Sequence, residues 1–312
     1  MFVLLACASA GIKLGSDGTG SDTADADADT DIDADTDTDA DTDADTDADT
    51  DADTDTDTTD TAADCAPYGL VADTSLSIAG GVTVDGFDAT RGVWGGANIS
   101  DDATMAVNAT SDCAFSYAGT IAGSAWTGPG SADAAVCAGW GGTISGTVAT
   151  LDTVVPMATI TLPSGMPASS GDLSTDWGET VTLDGDQTVE DLAFAGGSTV
   201  EVARSMRLVV NGTASLDGTL TIADGAVLEV YVSGAARLGW GSHINGDTPE
   251  RLRLYAADDL TMDYGSALNG LIVQEGGTFA NNGGAFEGTW IGPALSSEWG
   301  ASFHLDVSRA CP

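Results

Sequence analysis

Apolar and polar positions alternate in this chain over runs of only three to five residues. Examples are 75–78, 82–84, 159–162, 180–183 and 199–202. The clearest stretch runs from Arg207 to Val232. There Leu208/Val210, Leu216, Leu220/Ile222 and Leu228/Val230/Val232 fall on successive short strands. Asn211-Gly212, Asp217-Gly218 and Asp224-Gly225 mark the turns between them. A period of two is the signature of a strand with one buried side. The same Asn-Gly and Asp-Gly pairs are also hairpin signals, so a β-sandwich competes. Very short strands, continued from Pro67 onward without a long one, instead predict an all-β, right-handed parallel β-helix (a β-solenoid) over 65–312. Two Gly-, Ser- and Pro-bearing stretches interrupt the pattern, near Trp126 to Gly142 and near Pro163 to Trp177. The second is expected as a boundary or a long loop within the domain.

The first 64 residues carry no such pattern. From Asp25 to Asp57 every odd position is Asp, and every even position is Ala or Thr except Ile32. Such a tract has too little apolar surface to offset its ordering entropy, so 8–64 is expected to be a disordered linker. Extended, residues 21 to 64 would reach about 145–160 Å. Its carboxylates, roughly 6.6–6.8 Å apart along one side, repel and stiffen it. The D-x-D-x-D texture suggests calcium, but the tract lacks the Gly and the bidentate Glu of an EF-hand loop. Weak, diffuse binding of divalent cations is what it can offer. Its threonines also leave a glycosylated stalk open.

The chain has 312 residues and a formal charge of −41. About half of that charge lies on each side of Cys65, and the part after it has no Lys. Binding to nucleic acid or to an anionic surface by charge is therefore not expected. Five cysteines are present. Cys65, Cys113, Cys137 and Cys311 form an even set, with Cys65–Cys311 and Cys113–Cys137 as the favoured pairing among three. The chain has no C-x-x-C pair, and neither a metal site nor a cofactor is expected.

The remaining cysteine stands in Leu4-Leu5-Ala6-Cys7, which resembles the lipobox of bacterial lipoproteins. In that family the cysteine becomes the lipidated N-terminus. The resemblance makes 1–7 a truncated signal-like segment and Cys7 the lipidation site. It implies a membrane partner through the lipid and a place in the bacterial envelope, at the outer membrane or cell surface. The basic region of a full export signal is missing upstream. Beyond the linker, several phrases in order resemble uncharacterised β-helical domains of bacterial surface and pilus-associated proteins. They are Gly81 to Gly92, Ala106 to Thr110, Gly123 to Gly130, Asn269 to Val273, Phe286 to Gly292 and His304-Leu305-Asp306. Phe87 and Ala89 depart from that family's Tyr and Ser. The resemblance implies a parallel β-helix and no settled activity.

Candidate chemistry is sparse. Asp258, Asp259 and Asp263, near Arg251 and Arg253, could form the carboxylate cluster of a polysaccharide lyase or hydrolase, or merely solvated turns. His243 and His304 stand far apart, and no G-x-S-x-G supplies a nucleophile elbow. His304 is expected to cap a rung and bond locally. Seven tryptophans mostly neighbour glycine. They could pack corners of the coil or, like Trp240, stack on sugar rings. No catalytic residue is assigned. The sequence thus favours a non-enzymatic surface lipoprotein displaying a binding or structural module for adhesion or an envelope appendage, with a glycan or surface protein as partner. The alternative is a polysaccharide-active enzyme on the same scaffold.

Overall fold

The computed structural model describes residues 68–308, apart from Ala132, Asp247 and the side chain of Asp133. The lipidation candidate Cys7, the linker 8–64, the boundary at Cys65, and Cys311 lie outside the described residues. The rest is a parallel β-solenoid. Its 26 strands form one sheet wound upon itself. The ladders between strands are parallel, as in Leu208↔Val230↔Leu254. An isolated antiparallel bridge joins Gly86 and Ser100. A sandwich of hairpins would require antiparallel ladders, so the competing fold is excluded.

Three faces make up the coil. On the first, Leu192–Phe194, Ala214–Leu216, Ala236–Leu238, Leu260–Met262 and Phe279–Asn281 stack in order. Thr180–Leu183, Thr199–Val202, Thr219–Ile222 and His243–Ile244 stack on the second. Gln187–Val189, Met206–Val210, Leu228–Val232 and Leu252–Ala256 stack on the third. Inward residues alternate with outward ones, as the period of two requires. Phe194, Val200, Leu208 and Leu228 fall inside, at 0–1 % exposure.

The order of turns along the axis differs from their order in sequence. Strand Leu70–Ile78 lies on Ala285–Ser297, with Leu70 beside Trp290 and Leu76 beside Leu295. Strand Thr83–Phe87 lies on Ser302–Asp306. The chain therefore enters mid-stack and climbs to one end at Val148–Thr150. It then returns to the other end and climbs from Leu173–Ser174 until its last two strands meet its first two. At this seam Gly69 packs on Leu305, leaving no room for a Cβ. The largest buried rings gather there: Phe279 meets Phe286, Trp290 and Phe303 at centroid distances of 5.9, 5.9 and 6.3 Å.

The returning segment, 151–172, holds no strand. It forms a strap outside the third face. Val155, Met157, Ile160 and Met166 cover a second apolar cluster of Val71, Val209, Tyr231, Tyr255, Val273 and Ile291. Those residues are outward-facing and in register from turn to turn, so the strap buries a continuous stripe. Asn108 fixes the strap at one end: its side chain donates to Val155 O and accepts from Val155 N, both at 2.8 Å. Ser170 N donates to Thr188 O at the other. The long loop expected near 163–177 is the later part of this strap as far as 172, where Leu173–Ser174 begins the coil; the strand expected at 159–162 is instead strap, its Ile160 lying on the outward stripe rather than in a ladder. The interruption expected near 126–142 is instead part of the coil. Gly123–Thr127, Val136–Ala138 and Thr143–Ile144 are strands there, separated by glycine turns that sequence texture alone reads as a break.

Candidate functional site

The corner between the first and second faces is built from a recurring four-residue turn. The fourth residue's N–H donates to the first residue's C=O in Asp176–Glu179, Gly239–Ser242, Asp263–Ser266, Glu298–Ala301 and Gly139–Gly142, at 3.1–3.2 Å. The third residue is glycine each time, at φ between +72° and +91°. That is the geometry of a type II turn, whose third position requires positive φ. The second position is free to carry any side chain, and here it carries Trp177, Trp240, Tyr264, Trp299 and Trp140. Their exposures are 83, 75, 59, 74 and 100 %.

These rings form a broken ridge: Trp240, Tyr264 and Trp299 fall within four turns, and Trp177 and Trp140 each lie three turns further out along the same corner. Trp177 lies against Gly197, Trp240 towards Gly265, Tyr264 against Gly283, and Trp299 against Gly81, in each case the glycine of a neighbouring turn. An edge of the Trp177, Tyr264 and Trp299 rings thus lies against bare backbone, and Trp240 Nε1 comes near it, while much of each ring meets solvent. The molecule's other tryptophans are placed differently. Trp290 is fully buried, Trp126 meets Tyr68 edge-on at 5.2 Å, and Trp94 stacks on His304 at 3.6 Å. The sequence left packing and sugar stacking open for all seven, and the structure divides them. The readable signal is the aromatic–Gly pair, which every ridge residue has; Trp94-Gly95 is an exception.

A second cluster sits at the seam. His304 Nδ1 lies 2.6 Å from Asp85 Oδ1, which also accepts from Trp94 Nε1 at 3.0 Å. Glu287 is next to His304 in the ladder, and Asn269 donates to Glu287 Oε2 at 3.3 Å. Burial pushes the Glu287 carboxyl up. Asp85 adds to this, against His304 and the Trp94 N–H, which favour the charged form. Asp306 accepts from Ala89 N and Ser308 N, pinning the loop that carries Trp94. His304 was expected to bond locally; its partner is on a strand from the opposite end of the domain. The cavity beside Asn269 and Glu287, about 50 Å³, is too small for a sugar.

The carboxylates singled out from sequence lie on turns. Asp258 and Asp259 precede Leu260–Met262, and Asp263 follows it. Asp259 accepts from Thr278 N at 2.8 Å, and Asp263 pairs with Arg237. Arg251 pairs with Asp224 at 2.8 Å and Arg253 with Glu229 at 3.2 Å. A groove of about 520 Å³ is lined by Asp186, Arg207, Glu229 and Arg253. Burial acts to raise Asp186, but hydrogen bonds and charge from Arg207 outweigh it and hold the carboxyl below its ordinary range. That carboxylate is an ion-pair partner and a poor proton donor. Of the expected disulfides, Cys113–Cys137 is present, with Cα atoms 5.0 Å apart.

No family profile and no curated protein sequence matches this chain. Among solved structures, it is similar to an ice binding protein from an Antarctic bacterium, Flavobacteriaceae. Identity is 10 %, coverage 75 % of this chain and 78 % of that one, and the TM-score 0.27.

Proposed function

We propose that this chain is a non-enzymatic surface lipoprotein whose solenoid binds glycan through the aromatic ridge. The observation that carries the reading is the placement of Trp140, Trp177, Trp240, Tyr264 and Trp299 at one position of one corner turn, solvent-facing. Exposed rings of this size are costly to hydrate and are retained at surfaces that meet a ligand. An aromatic face stacks on the C–H face of a pyranose while neighbouring carboxylates take its hydroxyls. Lipid on Cys7 and the Asp-rich linker would hold this ridge away from an envelope membrane. The scattering of Asp258, Asp259 and Asp263 over turns favours binding over catalysis. A glycan array probed with the full chain and with its Trp299→Ala variant tests the reading. Binding weakened in the variant supports it; array-wide silence from the native chain refutes it.

One observation favours a second reading. On the second face Thr180, Thr199 and Thr219 stand in register, as do Thr83, Thr120 and Thr143, with His243, Ala267, Ala285 and Ser302 between the two runs. These runs of hydroxyls and methyls suit an ordered flat lattice, such as crystalline polysaccharide or ice. Inhibition of ice recrystallisation, lost on Thr120→Lys and retained on Trp299→Ala, would favour it over the ridge.

A further inference from the structure

The ridge has a direction, a spacing and a charge, and together they narrow the ligand. Successive turns of a parallel coil are about 4.8 Å apart. Trp240 and Tyr264 occupy consecutive turns, and Trp299 lies two turns beyond Tyr264. The turns that carry these rings are therefore offset by roughly 5 and 10 Å along the axis. One turn's rise is close to the advance per residue of an extended β-linked pyranose chain. A linear glycan laid parallel to the axis would meet Trp240, Tyr264 and Trp299 at whole-residue intervals. The Asn281–Gly284 turn between Tyr264 and Trp299 carries no ring of its own, and the edge of Tyr264 leans over its Gly283 towards Gly300. Across the axis the ridge is one ring wide, which suits a strand-like ligand better than a broad apolar protein surface.

The charge is negative along the same line. Asp176 and Glu179 bracket Trp177, Asp263 precedes Tyr264, and Glu298 precedes Trp299. Arg237, on the strand that leads into Trp240's turn, is paired with Asp217 at 3.3 Å and with Asp263. A uronate or sulfate stacked on these rings would come within a screening length, about 8 Å, of several carboxylates. Neutral sugars would not be repelled, and their hydroxyls can donate to the same carboxylates.

We infer that the ridge selects neutral, linear, β-linked polysaccharides that lie along the solenoid axis. This inference rests on the glycan reading and adds the ligand's charge and direction. Affinity electrophoresis of the full chain tests it, using β-glucan, xylan and β-mannan as neutral probes and alginate, polygalacturonate and heparin as anionic ones. The native chain is retarded by a neutral probe and by none of the anionic ones. Affinity for the matching oligosaccharides rises with length until they span Trp240 to Trp299. Tyr264→Ala and Trp299→Ala each weaken binding about threefold to tenfold, the range expected of one aromatic contact. Ridge-dependent retardation by an anionic probe overturns the inference and leaves the glycan reading standing. Retardation indifferent to both substitutions, or none with any probe, overturns both. Circular dichroism of each variant separates lost binding from lost fold, and Trp240→Phe keeps an aromatic face and is expected to retain binding.

Discussion

The indole of Trp299 rests on Gly81 although the two residues belong to opposite ends of the domain's sequence. Gly81 has φ +78°, and a Cβ there would run into the indole. Gly141 has nearly the same φ, +81°, and nothing within 4 Å of its Cβ position. Gly141→Ala is expected to lose about 1–2 kcal/mol from backbone strain alone. Gly81→Ala should lose about 1 kcal/mol more by displacing the ring. Urea unfolding of the pair measures the difference, and equal losses would mean that the ring is not seated there.

The seam gives a pH dependence. The folded-state pKa of Glu287 is raised above its ordinary value of 4.5, with burial the largest cause. The native state therefore holds that proton more tightly than the unfolded chain. The group's favourable contribution is complete below about pH 4.5 and is lost as pH rises through the folded value. Glu287→Gln should be more stable than the native chain at neutral pH, with the gap closing towards pH 4. Asp85→Ala removes the acceptor of two buried hydrogen bonds and should cost roughly 3 kcal/mol. Thermal melts across pH 4–8 check both.

Asn108 holds the strap with two hydrogen bonds to Val155 while itself 8 % exposed. Asn108→Ala should lower stability by roughly 1–3 kcal/mol. It should also open the strap to protease, giving cleavage within 151–172 before the coil is cut. Limited proteolysis with mass mapping reads this directly. Cleavage first in the coil would contradict the strap's role.

The Cys113–Cys137 bridge spans 24 residues, so its reduction should cost about 3 kcal/mol. A Cys65–Cys311 bridge remains a proposal. It rests on the even set of four cysteines, both of its members lying outside the described residues. Non-reducing peptide mapping should recover both linked pairs, and alkylatable Cys65 in the oxidised protein would count against the second.

The coil itself was legible: strands such as Thr199–Val202 and Thr219–Ile222, with glycine turns between them, already state a short-rung repeat. The order of rungs was not. Apolar alternation is the same whichever turn lies above another, so nothing local places Leu70 on Trp290. Asp85 and His304 are 219 positions apart and meet only because the second strand, Thr83–Phe87, pairs with the last, Ser302–Asp306. Only the part of the strap from 163 onward reads as a loop; 159–162 reads as a short strand, and the apolar residues 155, 157 and 160 gain their meaning only with the stripe of Val209, Tyr231 and Tyr255 beneath them. The ridge was half legible. Aromatic–Gly pairs were visible, yet their common corner depends on the register of every turn between them.

The glycan-binding ridge is tested most directly by tryptophan fluorescence. Acrylamide quenching of the full chain should fall when a neutral β-linked oligosaccharide is added, because ligand shields the exposed faces of Trp240 and Trp299. The Tyr264→Ala variant keeps every tryptophan as a reporter and should need about threefold to tenfold more oligosaccharide for the same protection. Protection indifferent to this substitution, or native quenching unchanged by every neutral oligosaccharide, would contradict the account.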